Sequence, residues 1–173
     1  MPQNIEIKAR IESVEDMLPV ATALGSSAAQ YVTQDDTFFQ CPDGRLKLRV
    51  TDDGEGTLIF YRRPDQYGPK ASSYVHTSTT DPHELREVLS EAYGELGRVR
   101  KSRIALRVGH ARVHLDVVEG LGHFLELEVD VRASEQDAVE EAHALMAALA
   151  IADADLVQGS YLDLLQDTAR QES

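Results

Sequence analysis

Three segments of this chain alternate between polar and apolar residues, and most of their polar positions carry charge. The segments are 4–11 (NIEIKARI), 45–50 (RLKLRV) and 124–130 (FLELEVD). A β-strand sends successive side chains to opposite faces, so each segment has one apolar face and one ionic face. Several ionic faces hold pairs of one sign, such as Lys47 with Arg49 and Glu126 with Glu128. Like charges this close repel unless a ligand or metal of opposite charge lies between them, so the pattern predicts a site for a polyanion and a divalent cation.

The size and composition are typical of a globular domain that does not cross a membrane. A chain of 173 residues with 42% hydrophobic and 27% charged residues fits a single domain, residues 1–173. We expect no signal peptide, because patterned strand begins at residue 4, and no apolar run is long enough to span a membrane. The single Cys41 cannot form an intrachain disulfide, which favours a reducing cytoplasm.

The charge balance is strongly acidic, but the basic residues are concentrated in the predicted strands. A formal net charge of −13 argues against general binding to nucleic acids or anionic membranes. Between Lys8 and Arg132, nearly every lysine and arginine lies in a strand-like segment or its turn. An acidic exterior with basic strand faces is typical of a sequestered anion site.

Eight strands and three helices are predicted, which favours an α+β fold. The strands cover residues 4–11, 31–40, 45–51, 57–63, 70–78, 98–107, 112–118 and 123–131. Helices are expected after the N-cap residues Ser13, Asp81 and Ser134. The segment 160–165 is expected to be a short strand or a turn. Short turns between most strands indicate an eight-stranded antiparallel β-barrel with the helices packed outside.

The strand parity predicts which side chains face the barrel lumen. Apolar positions such as Ile5, Leu48 and Leu127 need cover, which the three helices can provide, so the ionic positions face inward. The expected lumen residues are Glu6, Lys8, Lys47, Arg49, Arg63, Lys70, Lys101, Arg103, Asp116, Glu126 and Glu128. Unpaired buried charges cost several kcal/mol each, so such a lumen must hold water, metal and a charged ligand.

The residue types in this lumen indicate a metal–triphosphate complex. Arginine and lysine bind phosphate oxygens, and carboxylates such as Glu6, Glu126 and Glu128 suit Mg²⁺ or Mn²⁺. For any single pair of charges, a salt bridge to the opposite strand is the simpler interpretation. For the whole set, with one sign on adjacent strands, a ligand site is favoured.

The same residues resemble a known family, the CYTH superfamily of triphosphate tunnel metalloenzymes. Residues 4–8 (NIEIK) are similar to its E-x-E-x-K opening. Seven further segments resemble the class IV adenylate cyclase branch of this family. They are residues 34–39 (QDDTFF), 44–49 (GRLKLR), 61–65 (YRRPD), 68–70 (GPK), 101–103 (KSR), 114–122 (HLDVVEGLG) and 124–128 (FLELE). The match covers nearly the whole chain in order and is specific as a set.

The resemblance implies an eight-stranded tunnel that binds a triphosphate with a divalent metal. It implies metal ligation by Glu6, Glu126 and Glu128 with help from Asp116, and catalytic roles for Glu6, Lys8 and Asp116. The phosphate-binding residues that it implies are Lys8, Lys47, Arg49, Arg63, Lys70, Lys101 and Arg103. It also makes a homodimer an expectation.

The resemblance does not decide the roles of four positions in the implied site. Asn4 replaces the first glutamate of the opening motif and brings no charge, so we expect a second metal to bind weakly or not at all. Arg62 would replace Arg63 if the strand register slipped by one residue. Lys70 is the least secure phosphate ligand, since it follows a loop. The six histidines show no metal-ligand spacing, and for His114, which shares the inward parity of Asp116, a structural role is favoured.

Three functions remain in competition at this point. A cyclase would convert ATP to 3′,5′-cyclic AMP and pyrophosphate, and the motifs favour it. A triphosphatase would hydrolyse tripolyphosphate, thiamine triphosphate or a nucleotide in the same lumen. A non-catalytic triphosphate binder is the third hypothesis, which Asn4 allows.

Overall fold

The eight predicted strands form one closed antiparallel barrel in a computed structural model, which describes residues 1–173. The strands are β1 (Gln3–Arg10), β2 (Gln30–Phe39), β3 (Arg45–Thr51), β4 (Gly56–Arg62), β5 (Lys70–Thr79), β6 (Glu95–Val108), β7 (Ala111–Val118) and β8 (Gly122–Asp130). The helices are α1 (Val14–Leu24), α2 (Pro82–Tyr93), α3 (Glu135–Ala148) and α4 (Tyr161–Gln171), and a 3₁₀ turn covers Asp153–Asp155. The predicted α+β barrel is confirmed.

The strand order places particular strands face to face across the lumen. Around the barrel the order is β1-β5-β4-β3-β2-β6-β7-β8, and β8 pairs with β1 to close it. In a ring of eight strands, those four steps apart lie opposite each other. Therefore β1 faces β2, and β8 faces β3.

The main apolar core lies outside the barrel, between its wall and the helices. Ile5, Ile7 and Leu127 are at most 1% exposed and belong to a cluster that includes residues of α1 and α3. Leu48 belongs to a second cluster with Leu89 of α2. The expectation that helices cover the apolar strand faces is confirmed, and the inward faces are left to polar residues. None of the four helices has both the length and the apolar character needed to cross a bilayer.

The prediction of three helices, with a short strand or turn at 160–165, was wrong, because this segment begins a fourth helix. The Ser160 side chain accepts a hydrogen bond from the backbone of Asp163, whose carboxylate accepts one from the Ser160 backbone. This reciprocal arrangement is a capping box, which starts a helix. The spacing of Ser160 and Asp163 carried that signal in the sequence.

Helix α4 closes one end of the barrel. Tyr161 and Leu162 are buried in a cluster with Phe38 and Val99, whose side chains face the lumen. Gly97, which has φ +155°, leaves room for this approach, because a Cβ there would lie 2.7 Å from a Leu162 methyl carbon. The helix therefore contributes side chains to the lumen as well as covering it.

Candidate functional site

The inward strand faces line a cavity of about 260 Å³ inside the barrel. Seven basic side chains and four carboxylates line it, a formal excess of three positive charges in a chain of net charge −13. They are Lys8, Lys47, Arg49, Arg63, Lys101, Arg103 and Arg112, with Glu6, Asp36, Glu126 and Glu128. Such an enclosed excess of one sign attracts an anionic ligand.

Every lysine of the chain is held in the barrel. The four lysines are Lys8, Lys47, Lys70 and Lys101, and their side chains are at most 15% exposed. Lysine is almost never fully buried in folded proteins unless it is paired. The outer surface carries no lysine at all, so the lysines of this chain are concentrated at the barrel interior.

The cavity has an acidic wall formed by β1 and β8. Glu6 lies opposite Glu128 in the β1–β8 register, and Glu126 is the next inward residue of β8. Burial raises the pKa of Glu6, and the neighbouring carboxylates of Glu126 and Glu128 raise it further. Arg63 partly offsets this through an ion pair of 3.1 Å. Against the effect of burial, nearby cations hold the pKa of Glu126 well below its usual range and lower the pKa of Glu128, so both carboxylates are ionised beside Glu6.

A basic wall, formed by β3, β2 and β6, faces the acidic wall. Its centre is Asp36 of β2, which accepts hydrogen bonds from Lys47 at 2.9 Å and twice from Arg49 at 2.8 Å, with the Lys101 nitrogen at 3.6 Å. Burial alone would raise the pKa of Asp36, but these three cations hold it well below its usual range. One carboxylate cannot neutralise three cations, so the wall carries a formal excess of two positive charges.

The burial of Lys101 among these cations changes its protonation. Burial lowers its pKa to about 7, and the positive charges of Arg49, Arg103 and Lys47 lower it too, although Asp36 opposes them. A lysine with this pKa is only partly charged at neutral pH. A bound polyanion would restore the full charge.

Arg103 is fixed by a carboxylate behind the cavity wall. It donates to both oxygens of Asp116 at 2.7 Å and to Glu126 at 2.6 Å. The Tyr161 hydroxyl donates to Asp116 at 2.7 Å, and Lys8 lies 3.9 Å from the centre of the Tyr161 ring. Asp116 is 0% exposed and does not line the cavity. Both oxygens of Asp116 are thus engaged by Arg103, and Asp116 orients the Arg103 side chain.

The register question at the end of β4 is resolved in favour of Arg63. Its guanidinium donates to Glu6 at 3.1 Å and to the Gly159 carbonyl at 2.9 Å, inside the barrel. Arg62 points the other way and pairs with Asp43 at 2.8 Å. Arg63 thus lies beside the acidic wall.

Lys70 is buried next to the cavity but does not line it. Its side chain is 1% exposed, and its ammonium group donates to the Gln66 carbonyl at 3.0 Å. Burial lowers the pKa of Lys70 to about 8, and the charges of Arg63 and Lys8 contribute to the shift. Lys70 therefore holds the loop between β4 and β5, and a phosphate would reach it only after this contact breaks.

One part of the cavity wall is apolar and aromatic. Phe38 and Ile59 line it together with Tyr61, Tyr74 and His76. The rings of Tyr74 and His76 are stacked, with their planes 17° apart and centroids 6.1 Å apart. Burial raises the pKa of Tyr61 to about 12, so its hydroxyl stays protonated. This surface fits a flat organic group better than it fits a phosphate.

The donor set beside the acidic wall fits a divalent cation. Ligand atoms of His114, Glu126 and Glu128 all lie within 4.8 Å of one another. His114 Nδ1 and the Asn4 side-chain oxygen are buried without a hydrogen-bond partner. Buried polar atoms are rarely left unpaired, so both atoms are free to ligate a cation.

Three residues of the site were not predicted from the sequence as ligand-binding residues. Asp36 lies in the segment that was quoted for the family resemblance, but its pairing depends on the register that places it opposite Arg49. Arg112 donates to Glu128 at 3.0 Å across the β7–β8 register. His114 lies opposite Glu126 in the same register. Strand parity assigns all three to the lumen, but their partners lie on the neighbouring strand of a hairpin and depend on its register.

The shifted pKa of Lys101 predicts a pH dependence of stability. The unfolded lysine titrates near 10.4, so between pH 7 and 10 the unfolded chain binds more protons and stability rises with pH. Lys101→Met should therefore be more stable than the wild type near pH 6.5, and this advantage should shrink by on the order of 3 kcal/mol by pH 10. Urea unfolding of both proteins across this range measures the difference.

The control for this prediction is Arg107→Met, which removes an exposed cation that stays charged throughout the range. Its stability difference from the wild type should not change with pH. An unchanging difference for Lys101→Met as well would show that Lys101 is not held in a strained, partly charged state.

Comparisons with known proteins agree with the geometry. The sequence matches the CYTH domain family over residues 2–161. It is 27% identical over 171 residues to a Methanocaldococcus jannaschii protein named a "putative adenylate cyclase", covering 93% of this chain and 97% of that one. A Pyrococcus horikoshii structure superposes with a TM-score of 0.85 at 21% identity, over 94% of this chain and 99% of that chain. A Hippeastrum structure, described as a "putative adenylyl cyclase" with a dominant triphosphatase activity, gives 0.67 at 17% identity over 95% and 96% of the two chains. The chain belongs to the CYTH domain family.

Proposed function

We propose that the protein is an enzyme dependent on Mg²⁺ or Mn²⁺ that acts on a triphosphate in the barrel, and that it converts ATP to 3′,5′-cyclic AMP and pyrophosphate. The observation that carries this proposal is the arrangement of the two walls. A wall with excess positive charge faces a wall of three carboxylates across one cavity. A polyanion on one side and a divalent cation on the other would complement both.

The basic wall would bind the phosphate oxygens. Lys47, Arg49 and Lys101 share the single carboxylate of Asp36, so each keeps donor capacity for a ligand. Charge-assisted hydrogen bonds from such groups to phosphate are among the strongest in proteins. Asp36 would keep the three side chains in place before and after the substrate binds.

The acidic wall would place the reacting end of the substrate. A divalent cation bound by Glu6, Glu126 and Glu128 would neutralise charge on the phosphate oxygens and make an attacking hydroxyl more acidic. Glu6 has two oxygens and lines the cavity, so one oxygen would bind the cation while the other accepts the proton of that hydroxyl.

Two cations at the boundary between the walls would orient the phosphates. Lys8 is held between Glu126, at 3.0 Å, and the Tyr161 ring. Arg103 is held rigidly by Asp116, so it can donate to a phosphate without reorganising. Asp116 acts through Arg103 and is a positioning residue in this proposal.

The aromatic part of the cavity supports a nucleotide as the substrate. The stacked rings of Tyr74 and His76, with Phe38 and Ile59, offer a surface for a purine. The Methanocaldococcus relative, named as an adenylate cyclase, supports the same substrate. In the reaction, the ribose 3′-hydroxyl would attack the α-phosphorus and pyrophosphate would leave along the basic wall.

A triphosphatase is the second candidate function. The activity described for the Hippeastrum protein favours it, since that protein shares the fold. The same two walls would serve this reaction, with water in place of the ribose hydroxyl. Tripolyphosphate, thiamine triphosphate and nucleotides are the possible substrates, and a non-catalytic triphosphate binder is the third possibility.

Product analysis distinguishes these reactions. The pure protein is incubated with ATP, or with tripolyphosphate, in Mg²⁺ or Mn²⁺, and the products are separated by chromatography. We expect cyclic AMP and pyrophosphate in equal amounts from ATP. Orthophosphate without cyclic AMP would assign a triphosphatase, and no product from ATP, tripolyphosphate or thiamine triphosphate would contradict an enzymatic function.

Arg49→Ala tests the phosphate-binding role of the basic wall. Loss of a charge-assisted donor should raise the KM for the triphosphate substrate by about tenfold or more. The fold should survive, because Asp36 retains Lys47 and Lys101. Steady-state kinetics measures the first effect and thermal unfolding the second.

The chain offers a matched control in Arg98→Ala. Arg98 forms the same two-point ion pair with Asp35, on the outer face of the barrel, at 2.9 and 2.8 Å. Its removal should leave KM unchanged. If Arg49→Ala behaves like Arg98→Ala, Arg49 only stabilises the fold.

A further inference from the structure

His114 is a buried histidine with one unsatisfied ring nitrogen. It lies on β7, opposite Glu126 of β8, and is 7% exposed. Its Nδ1 atom has no hydrogen-bond partner. It lies 3.9 Å from the nearest oxygens of both Glu126 and Glu128. A separation of 3.9 Å is too long for a hydrogen bond, so the two carboxylates do not satisfy this atom.

The Nδ1 atom of His114 lies at a distance from each carboxylate that one metal ion can span. Metal bonds to nitrogen and oxygen are about 2.0–2.2 Å long, so ligand atoms on one ion lie roughly 3–4.3 Å apart. The separations between His114 Nδ1 and the two carboxylates fall inside this range. A single ion between them would satisfy the nitrogen and separate the two negative charges.

Lone pairs remain available on both carboxylates. Glu128 accepts from Arg112 with one oxygen, and the other oxygen, the one nearest His114, makes no hydrogen bond. Glu126 accepts from Lys8 and Arg103 with separate oxygens. Each carboxylate oxygen can accept more than one partner. A metal therefore does not require either glutamate to leave its ion pairs.

We propose that His114 Nδ1 is a metal ligand and that it adapts this site to a divalent transition metal, such as Mn²⁺, in preference to Mg²⁺. Mg²⁺ favours oxygen ligands only, whereas imidazole nitrogen binds first-row transition metals well. The proposal rests on the proposed function for the presence of a metal beside Glu126 and Glu128. To that function the proposal adds His114 as a nitrogen ligand and a preference for Mn²⁺ over Mg²⁺.

Pulsed electron paramagnetic resonance of the wild-type protein loaded with Mn²⁺ tests the ligand directly. We expect a ¹⁴N coupling to the bound ion, which becomes a ¹⁵N coupling when the protein is made with ¹⁵N-labelled histidine. The coupling should be lost in His114→Gln. It should persist in His143→Gln, which changes an exposed histidine on α3.

Titrations with Mn²⁺, and with Mg²⁺ as its competitor, test the metal preference. His114→Gln should weaken Mn²⁺ binding by at least about tenfold, as loss of groups around a metal commonly does. Mg²⁺ binding should change by less than about threefold, since Mg²⁺ does not favour the nitrogen. His143→Gln should change neither affinity.

The outcomes separate this proposal from the proposed function. Mn²⁺ binding without a histidine coupling would overturn the role of His114 and leave the metal-dependent enzyme intact. Binding of neither ion would overturn both. If His114→Gln fails to fold, the coupling in the labelled wild-type protein still decides the question, because it requires no variant.

Discussion

The structure depends on one constraint, which is that the strands carry apolar side chains on the outside of the barrel and charged side chains on the inside. The outer residues, such as Ile5 and Leu127, are stable only under the helices that cover them. The cations that line the cavity outnumber its carboxylates by seven to four, so Lys47, Arg49 and Lys101 share the single carboxylate of Asp36. Folding therefore leaves a cavity with a formal excess of positive charge, in which burial and the neighbouring cations together lower the pKa of Lys101.

Closure of the barrel places the acidic wall and the basic wall on opposite sides of the cavity. The order of the strands puts Glu6 of β1 opposite Asp36 of β2, and the carboxylates of β8 opposite the cations of β3. Helix α4 adds Tyr161, which contacts Lys8 on one side and Asp116 on the other. The end of the barrel is thus closed by a residue that also orders the site. Metal, phosphate and organic group would each have a separate part of the cavity, with the proposed nitrogen ligand at the metal end.

Period-two alternation was sufficient to predict the barrel and most of the lumen, because side-chain parity is a local property of a strand. Partners across strands were not predictable in the same way. Asp36 was passed over because its role depends on register with Arg49, and Asp116 was expected in the cavity because parity does not show that Tyr161 covers it. Helix α4 was missed although the capping pair Ser160 and Asp163 was readable in the sequence. His114 has no ligand spacing along the chain and meets Glu126 only through the β7–β8 register.

The central claim is that the excess positive charge of the cavity is a binding site for a triphosphate. Calorimetric titration of tripolyphosphate at pH 8, without added metal, tests it most directly. We predict that one tripolyphosphate binds per chain with uptake of protons, because a bound polyanion raises the lowered pKa of Lys101. Replacing both Arg49 and Lys101 with methionine should abolish this binding. Equal binding to the wild type and the double variant, or no binding to either, would contradict the claim.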